Sequence, residues 1–261
     1  MFNFLQDSNL LLVFSLVFLR VTGLMFTAPF FGSGVIDPRL KVFLSMIVSL
    51  VIFNAHDSFN INLANINTVL LVIIMLKELL IGVATGLLGQ FLFVAVQFGG
   101  QIMGFQMGFG VVNVLDPQTN TQISIIAQFQ NIVMILIFLA IGGHRVFLEA
   151  VARCFELVPL GTFVFPAESF FFVVSIFSKV FFIALKIIAP VFVTLFVTHT
   201  VMGIIARLVP QINILIVGFP LQIAAGLAVI MLSMSYFYNV FELVMQDYFR
   251  NLLTLFHIMG A

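Results

Sequence analysis

"LLIGVATGLLGQFLFVAVQFGGQIMGFQMGFGVVNVL", residues 79–115, contains no formally charged side chain. A membrane-spanning helix needs about 20 apolar residues, and this run is longer than one such span requires. It does not alternate polar with apolar positions, and it far exceeds the roughly 10 residues of a barrel strand. The stretch therefore predicts a long apolar helix. A second uncharged run covers residues 117–143. Where the two meet lie Asp116, Pro117 and a cluster of Gln, Thr and Asn side chains, so a polar, turn-rich segment separates two apolar helices.

The rest of the chain has the same character. Hydrophobic residues make up 62% and charged ones 8%, against roughly 25% charged in a soluble domain. A soluble fold cannot hide this much apolar surface, which implies an all-α integral membrane protein or a subunit of a complex equally poor in water. The formal net charge is zero, which argues against nucleic acid, because phosphate binding needs clustered Lys and Arg. The first residues contain Asp7 and no Lys or Arg, so a cleavable secretory signal is not expected. Cys154 stands alone and allows no intramolecular disulfide.

Six apolar segments emerge, at about 9–31, 40–55, 66–107, 122–141, 168–206 and 211–245. Turn-forming residues punctuate them, among them the short "RLVPQIN" between the last two. If six spans simply alternate, Arg39, Lys41 and Arg207 fall on one side and Arg145, Arg153 and Arg250 on the other. That balance gives the positive-inside rule nothing to decide. Charges also sit inside apolar segments: Arg20, Lys77, Glu78, Lys179 and Lys186. Such groups are costly in hydrocarbon and face protein partners or water-filled cavities. Structural pairing, much of it with other chains, is the favoured role, ahead of direct involvement in transport.

At 100° per residue, Gly82, Gly86, Gln90, Gln97, Gln101, Gly104 and Gly108 share about a third of the third helix's circumference. Ser124, Gln128 and Asn131 repeat the pattern after the turn. Small-xxx-small faces let backbones approach, and close packing is the expected role of the glycines. For the glutamines, packing and the wall of an aqueous path stand as equal alternatives.

Catalytic chemistry finds no foothold. His56, His144, His199 and His257 are dispersed, without an H-E-x-x-H pair or a cysteine cluster. Ser33 lies between two glycines but lacks the G-x-S-x-G frame. No Walker A or GxGxxG motif occurs, so no cofactor is expected. A small secondary transporter is the rival class, with Pro190 and Pro220 as helix breaks and Lys186 as an anion ligand, but two matching halves are not evident.

A series of residues then becomes informative in its order. It runs Arg20-x-x-Gly23, Ala28-Pro29, Pro38-x-x-Lys41, Lys77-Glu78 with Gly82, and Gln97-x-x-Gly100 leading to Gly108 and Asp116-Pro117. Gly143-His144, Pro159 and "RLVPQINILIVGFPLQIAAGL" (207–227) complete it. Along essentially the whole chain this series resembles the FliR family of flagellar type III export-gate proteins, related to the SctT proteins of virulence injectisomes.

The resemblance implies a subunit present once in a closed, right-handed helical gate with several FliP-type and FliQ-type chains. Such a gate lies at the flagellar basal body in the bacterial inner membrane, much of it held above the bilayer plane, and passes unfolded flagellar subunits outward. It implies further partners, an FlhB-type switch protein and an FlhA-type export protein, as well as membrane lipid. It also implies a FliP-like region over 1–165 and a FliQ-like helical hairpin over 166–261, turning at 207–213. The loop over 109–122 becomes a pore plug, with Gly108, Phe109, Gly110, Val111, Val112, Asn113, Val114, Leu115, Asp116, Pro117, Gln118, Thr119 and Asn120 as its residues. Pore-facing candidates are Gln90, Gln97, Gln101, Met103, Met107 and Gln128. Inter-subunit candidates are Arg20, Lys77, Glu78, Lys179, Lys186, Arg207, Gln211 and Asn213. An injectisome gate subunit is the alternative within the same architecture.

Overall fold

The computed structural model describes residues 8–29, 31–32, 36–55, 67–110, 124–161, 167–211 and 213–260. Regular structure among them is helical throughout. The helices are α1 (Ser8–Thr27), α2 (Pro38–Ala55), α3 (Thr68–Gln106), α4 (Ile125–Ala140), α5 (Gly143–Leu157), α6 (Ala167–Leu208), α7 (Ile214–Leu232) and α8 (Met234–Gly260). With 39 and 42 residues, α3 and α6 run to about 58 and 63 Å, roughly twice the hydrocarbon thickness of a bilayer.

Local chemistry sets the helix ends. Asp37 accepts the Arg39 N–H at 2.7 Å ahead of α2, with Pro38 at the first helical position, where its missing N–H is harmless. Asn67 accepts the Val69 N–H at 3.3 Å ahead of α3. Ser124 accepts the Ile126 N–H at 3.3 Å ahead of α4. Gly142, at φ 73°, ends α4.

Four described helices (α1, α2, α3 and α6) are long and apolar enough to cross a membrane, and the number rises to six if the bent pairs α4–α5 and α7–α8 each make one span. The protein is therefore an all-α membrane protein. The six expected segments are refined in two places. α5 went unseen because Arg145, Glu149, Arg153 and Glu156 dilute its hydropathy, although one face, with Phe147, Val151 and Phe155, is buried. The last segment is two helices meeting at a 59° bend. The bend lies at Ser233, whose hydroxyl donates back to the Val229 carbonyl at 2.6 Å, a contact that bends helices.

The chain divides into two compact units. The first comprises Met1–Phe91, Gly143–Phe177 and Asp247–Ala261, and the second Leu92–Gly142 and Ser178–Gln246. The boundaries fall inside α3, α6 and α8 and between α4 and α5. In the first unit, Leu16, Val17 and Val21 of α1 are buried with Ile74 of α3 and Phe147 and Val151 of α5. In the second, Phe93 of α3 meets Phe138 of α4 edge to face, with centroids 5.7 Å apart.

Candidate functional site

In the first unit, glycines bring α1 and α3 together. A Cβ on Gly23 would lie 2.7 Å from the Leu79 carbonyl oxygen, and one on Gly82 would overlap the Arg20 backbone. Gly86 faces Thr27 and Leu24 just as closely. Packing at this range places Arg20 beside Glu78. The Arg20 Nε donates to Glu78 Oε2 at 2.6 Å, with the two side chains 1% and 0% exposed. Arg20 Nη1 donates to the carbonyls of Val158, at 2.8 Å, and Cys154, at 3.3 Å. Glu78 Oε1 accepts the N–H of Gly161 at 2.9 Å, and Gly161 holds the positive φ, 75°, that its turn requires. The Phe155 ring lies 4.6 Å from the guanidinium carbon.

This corrects one expectation. Arg20 and Glu78, anticipated as contacts to other chains, are paired with each other in the interior of the first unit. A buried charge is tolerable only when paired and hydrogen-bonded, and here the chain itself supplies the partner. Lys77, next in sequence to Glu78, is half-buried and has no charged partner among the described residues.

In the second unit, α3 and α4 converge toward the polar segment that joins them. A Cβ on Gly100 would lie 2.5 Å from the Ala127 Cα, and one on Gly104 would overlap the Ser124 hydroxyl. α3 then closes in a defined cap. The Phe109 N–H reaches the Gly104 carbonyl at 3.0 Å and the Gly108 N–H the Phe105 carbonyl at 3.1 Å, with Gly108 at φ 89°. These are the paired bonds of a Schellman motif. The Phe219 ring of α7 lies against Gly108, and the Met107 side chain lies against Gly226. The glycines therefore end the helix in a defined geometry.

Of the expected plug residues, Gly108 and Phe109 belong to this cap and Gly110 follows it against the Phe105 ring; Val111, Val112, Asn113, Val114, Leu115, Asp116, Pro117, Gln118, Thr119 and Asn120 lie outside the described residues. Ser124, the next described residue, packs against Gly104, whose carbonyl takes part in the cap.

The pore-facing candidates separate. Gln128 is exposed, while Gln90, Gln97 and Gln101 are half-buried. Met103 and Met107 are 1% and 0% exposed. The two methionines fill the chain's own interior, so in this conformation they offer no surface to a lumen. Gln130, which went unremarked in the sequence, is the buried amide of α4. It lines a small, largely apolar cavity with Val96, Met134, Ile187, Phe237 and Phe241. Lys179, Lys186, Arg207, Gln211 and Asn213 are all exposed.

Comparison with known proteins now identifies the class. A family model described as "Bacterial export proteins, family 1" matches residues 11–248, and the chain belongs to that family. Its relatives are more particular. The "Flagellar biosynthetic protein FliR" of Bacillus subtilis is 33% identical over 250 residues, covering 93% of this chain and 95% of the relative. That of Aquifex aeolicus is 29% identical over 246 residues, covering 94% and 93%, and that of Escherichia coli 27% over 210 residues, covering 80% and 79%. The resemblance to the FliR family therefore spans nearly the whole chain.

Proposed function

We propose that this protein is a subunit of the flagellar type III export gate in the bacterial inner membrane, at the basal body. In this reading it forms, with FliP-type and FliQ-type partners, the pore through which unfolded flagellar subunits leave the cell. The observation that carries the reading is the full-length similarity to flagellar FliR proteins. The names of these relatives are flagellar, which favours this system over an injectisome.

Physical features support it. α3 and α6 are about twice as long as a bilayer core is thick, and they expose Leu76, Phe105, Phe182 and Phe196 at 55–67%. Apolar surface of this extent fits contact with lipid along part of its length and with other protein chains along the rest. Residues 1–165 act as the FliP-like part and 166–261 as the FliQ-like hairpin. Its turn, with Arg207, Gln211 and Asn213, meets the FliQ-type neighbour or the FlhB-type switch protein, and FlhA-type protein completes the machinery.

The loop over 109–122 is the plug of this gate. Its apolar lead, Val111, Val112, Val114 and Leu115, seals against partner side chains, while Asp116 and the amides after it face the wet lumen. Purification in mild detergent with native mass spectrometry tests the assignment. An assembly of defined mass containing FliP-type and FliQ-type chains is expected. A stable, monodisperse monomer would overturn it.

A further inference from the structure

Pro190 lies near the middle of α6. Proline has no N–H, so the carbonyl four residues earlier, that of Lys186, loses its intrahelical donor. In an apolar environment such an orphan acceptor is costly, and helix breaks persist where a neighbour satisfies the freed group. Here the Tyr236 hydroxyl, three residues into α8, donates to the Lys186 carbonyl oxygen at 2.8 Å.

The surroundings hold α6 closely at this point. The inner face of α6 is seated closely on α3, since a Cβ on Gly99 would come within 2.6 Å of the Ile188 side chain. Val191 and Leu195, in the turns after Pro190, are fully buried. The Thr194 hydroxyl donates back to the Pro190 carbonyl at 2.9 Å, a contact that itself bends helices. Tyr236 follows directly on the Ser233 bend between α7 and α8, so its position in space depends on that bend.

We propose that Tyr236 is a positioning residue that bridges the gap Pro190 leaves in the hydrogen-bond ladder of α6 and fixes the direction in which residues 191–208 project. The hydroxyl replaces the one helix hydrogen bond that proline deletes. The side chain of Lys186 plays no part; its backbone oxygen does.

The test is a double-mutant cycle in the intact membrane complex. Nitroxide labels at Phe182→Cys and Val201→Cys, both exposed, span Pro190 at about 28 Å in a straight helix; Cys154 is buried and stays in place. Tyr236→Phe is expected to widen the distance distribution, raising the population outside the main peak roughly fivefold, the ratio equivalent to one net hydrogen bond. On a Pro190→Ala background the same change is expected to do nothing, because the backbone N–H gained with the substituted alanine then serves the Lys186 carbonyl. An equal effect on both backgrounds, or none on the native one, would overturn the proposal. If Pro190→Ala does not assemble, Tyr238→Phe provides the comparison. Tyr238 is as exposed as Tyr236, at 40%, and a widening equal to that of Tyr236→Phe would equally overturn it.

Discussion

Arg20 illustrates how a charge is accommodated in so apolar a chain. Its guanidinium is covered on one face by Phe155, paired with Glu78, and bonded to two carbonyls at the end of α5. Removing one member of such a pair strands the other and costs about 3–5 kcal/mol, whereas replacing both with apolar groups is often close to neutral. Arg20→Met is therefore expected to deplete the protein from membranes, and Arg20→Met with Glu78→Leu to restore much of it. Immunoblotting of membrane fractions decides the matter: full abundance of the single variant would contradict the buried-pair account. Gly108 poses the complementary backbone case. Its φ of 89° is disfavoured for any residue with a Cβ by about 1–2 kcal/mol, and the Phe219 ring occupies the space a side chain would need. Gly108→Ala is expected to lower the thermal midpoint of the purified complex, and an unchanged midpoint would show that the cap relaxes freely. The sequence marked both residues as unusual. It did not reveal the partners, Glu78 lying 58 positions from Arg20.

At the scale of elements, the base of residues 111–123 is the informative piece. α3 is capped at Gly108, α4 is capped by Ser124, and Gly104 packs on Ser124. A loop whose two anchors are held by helix packing can be shortened at little cost, since closure entropy changes slowly with length. Deleting residues 110–120 spares the hydrogen bonds of the cap, which involve Gly104, Phe105, Gly108 and Phe109. The gate is therefore expected to assemble without the loop and to leak small ions, with export slowed only moderately. Permeability of cells expressing the deletion, with assembly checked in parallel, measures this. A fully assembled gate that stays ion-tight would place the seal elsewhere, in side chains supplied by partners.

For the whole molecule, the exposed end of α6 separates a contact role from a structural one. Arg207 lies in the last turn of α6, is exposed, and opposes the negative end of the helix dipole. That interaction is worth about 0.3–1 kcal/mol at a surface, too little to unfold the chain when lost. Arg207→Glu is expected to leave abundance near normal and to reduce secretion of flagellar subunits, because it reverses a charge at the surface proposed to meet a neighbour. Quantifying secreted hook and filament protein beside membrane abundance distinguishes the outcomes. Loss of the protein itself would make Arg207 structural.

The sequence by itself determined the class: long uncharged runs, low charge and aperiodic apolar content specify membrane helices because hydrophobicity is a local property of each segment. It also located the special points, namely the glycine face of α3, the charges at Arg20 and Glu78, the turn residues around 108–124 and the proline in α6. Only the tertiary structure decided what those points do. α5 emerged because one face of a charged helix is buried, which average hydropathy cannot register. Glu78 became the partner of Arg20, Met103 and Met107 turned inward, and Tyr236 met the carbonyl that Pro190 left free. Each of these pairs residues far apart in the chain, and such pairing exists only once the helices have packed.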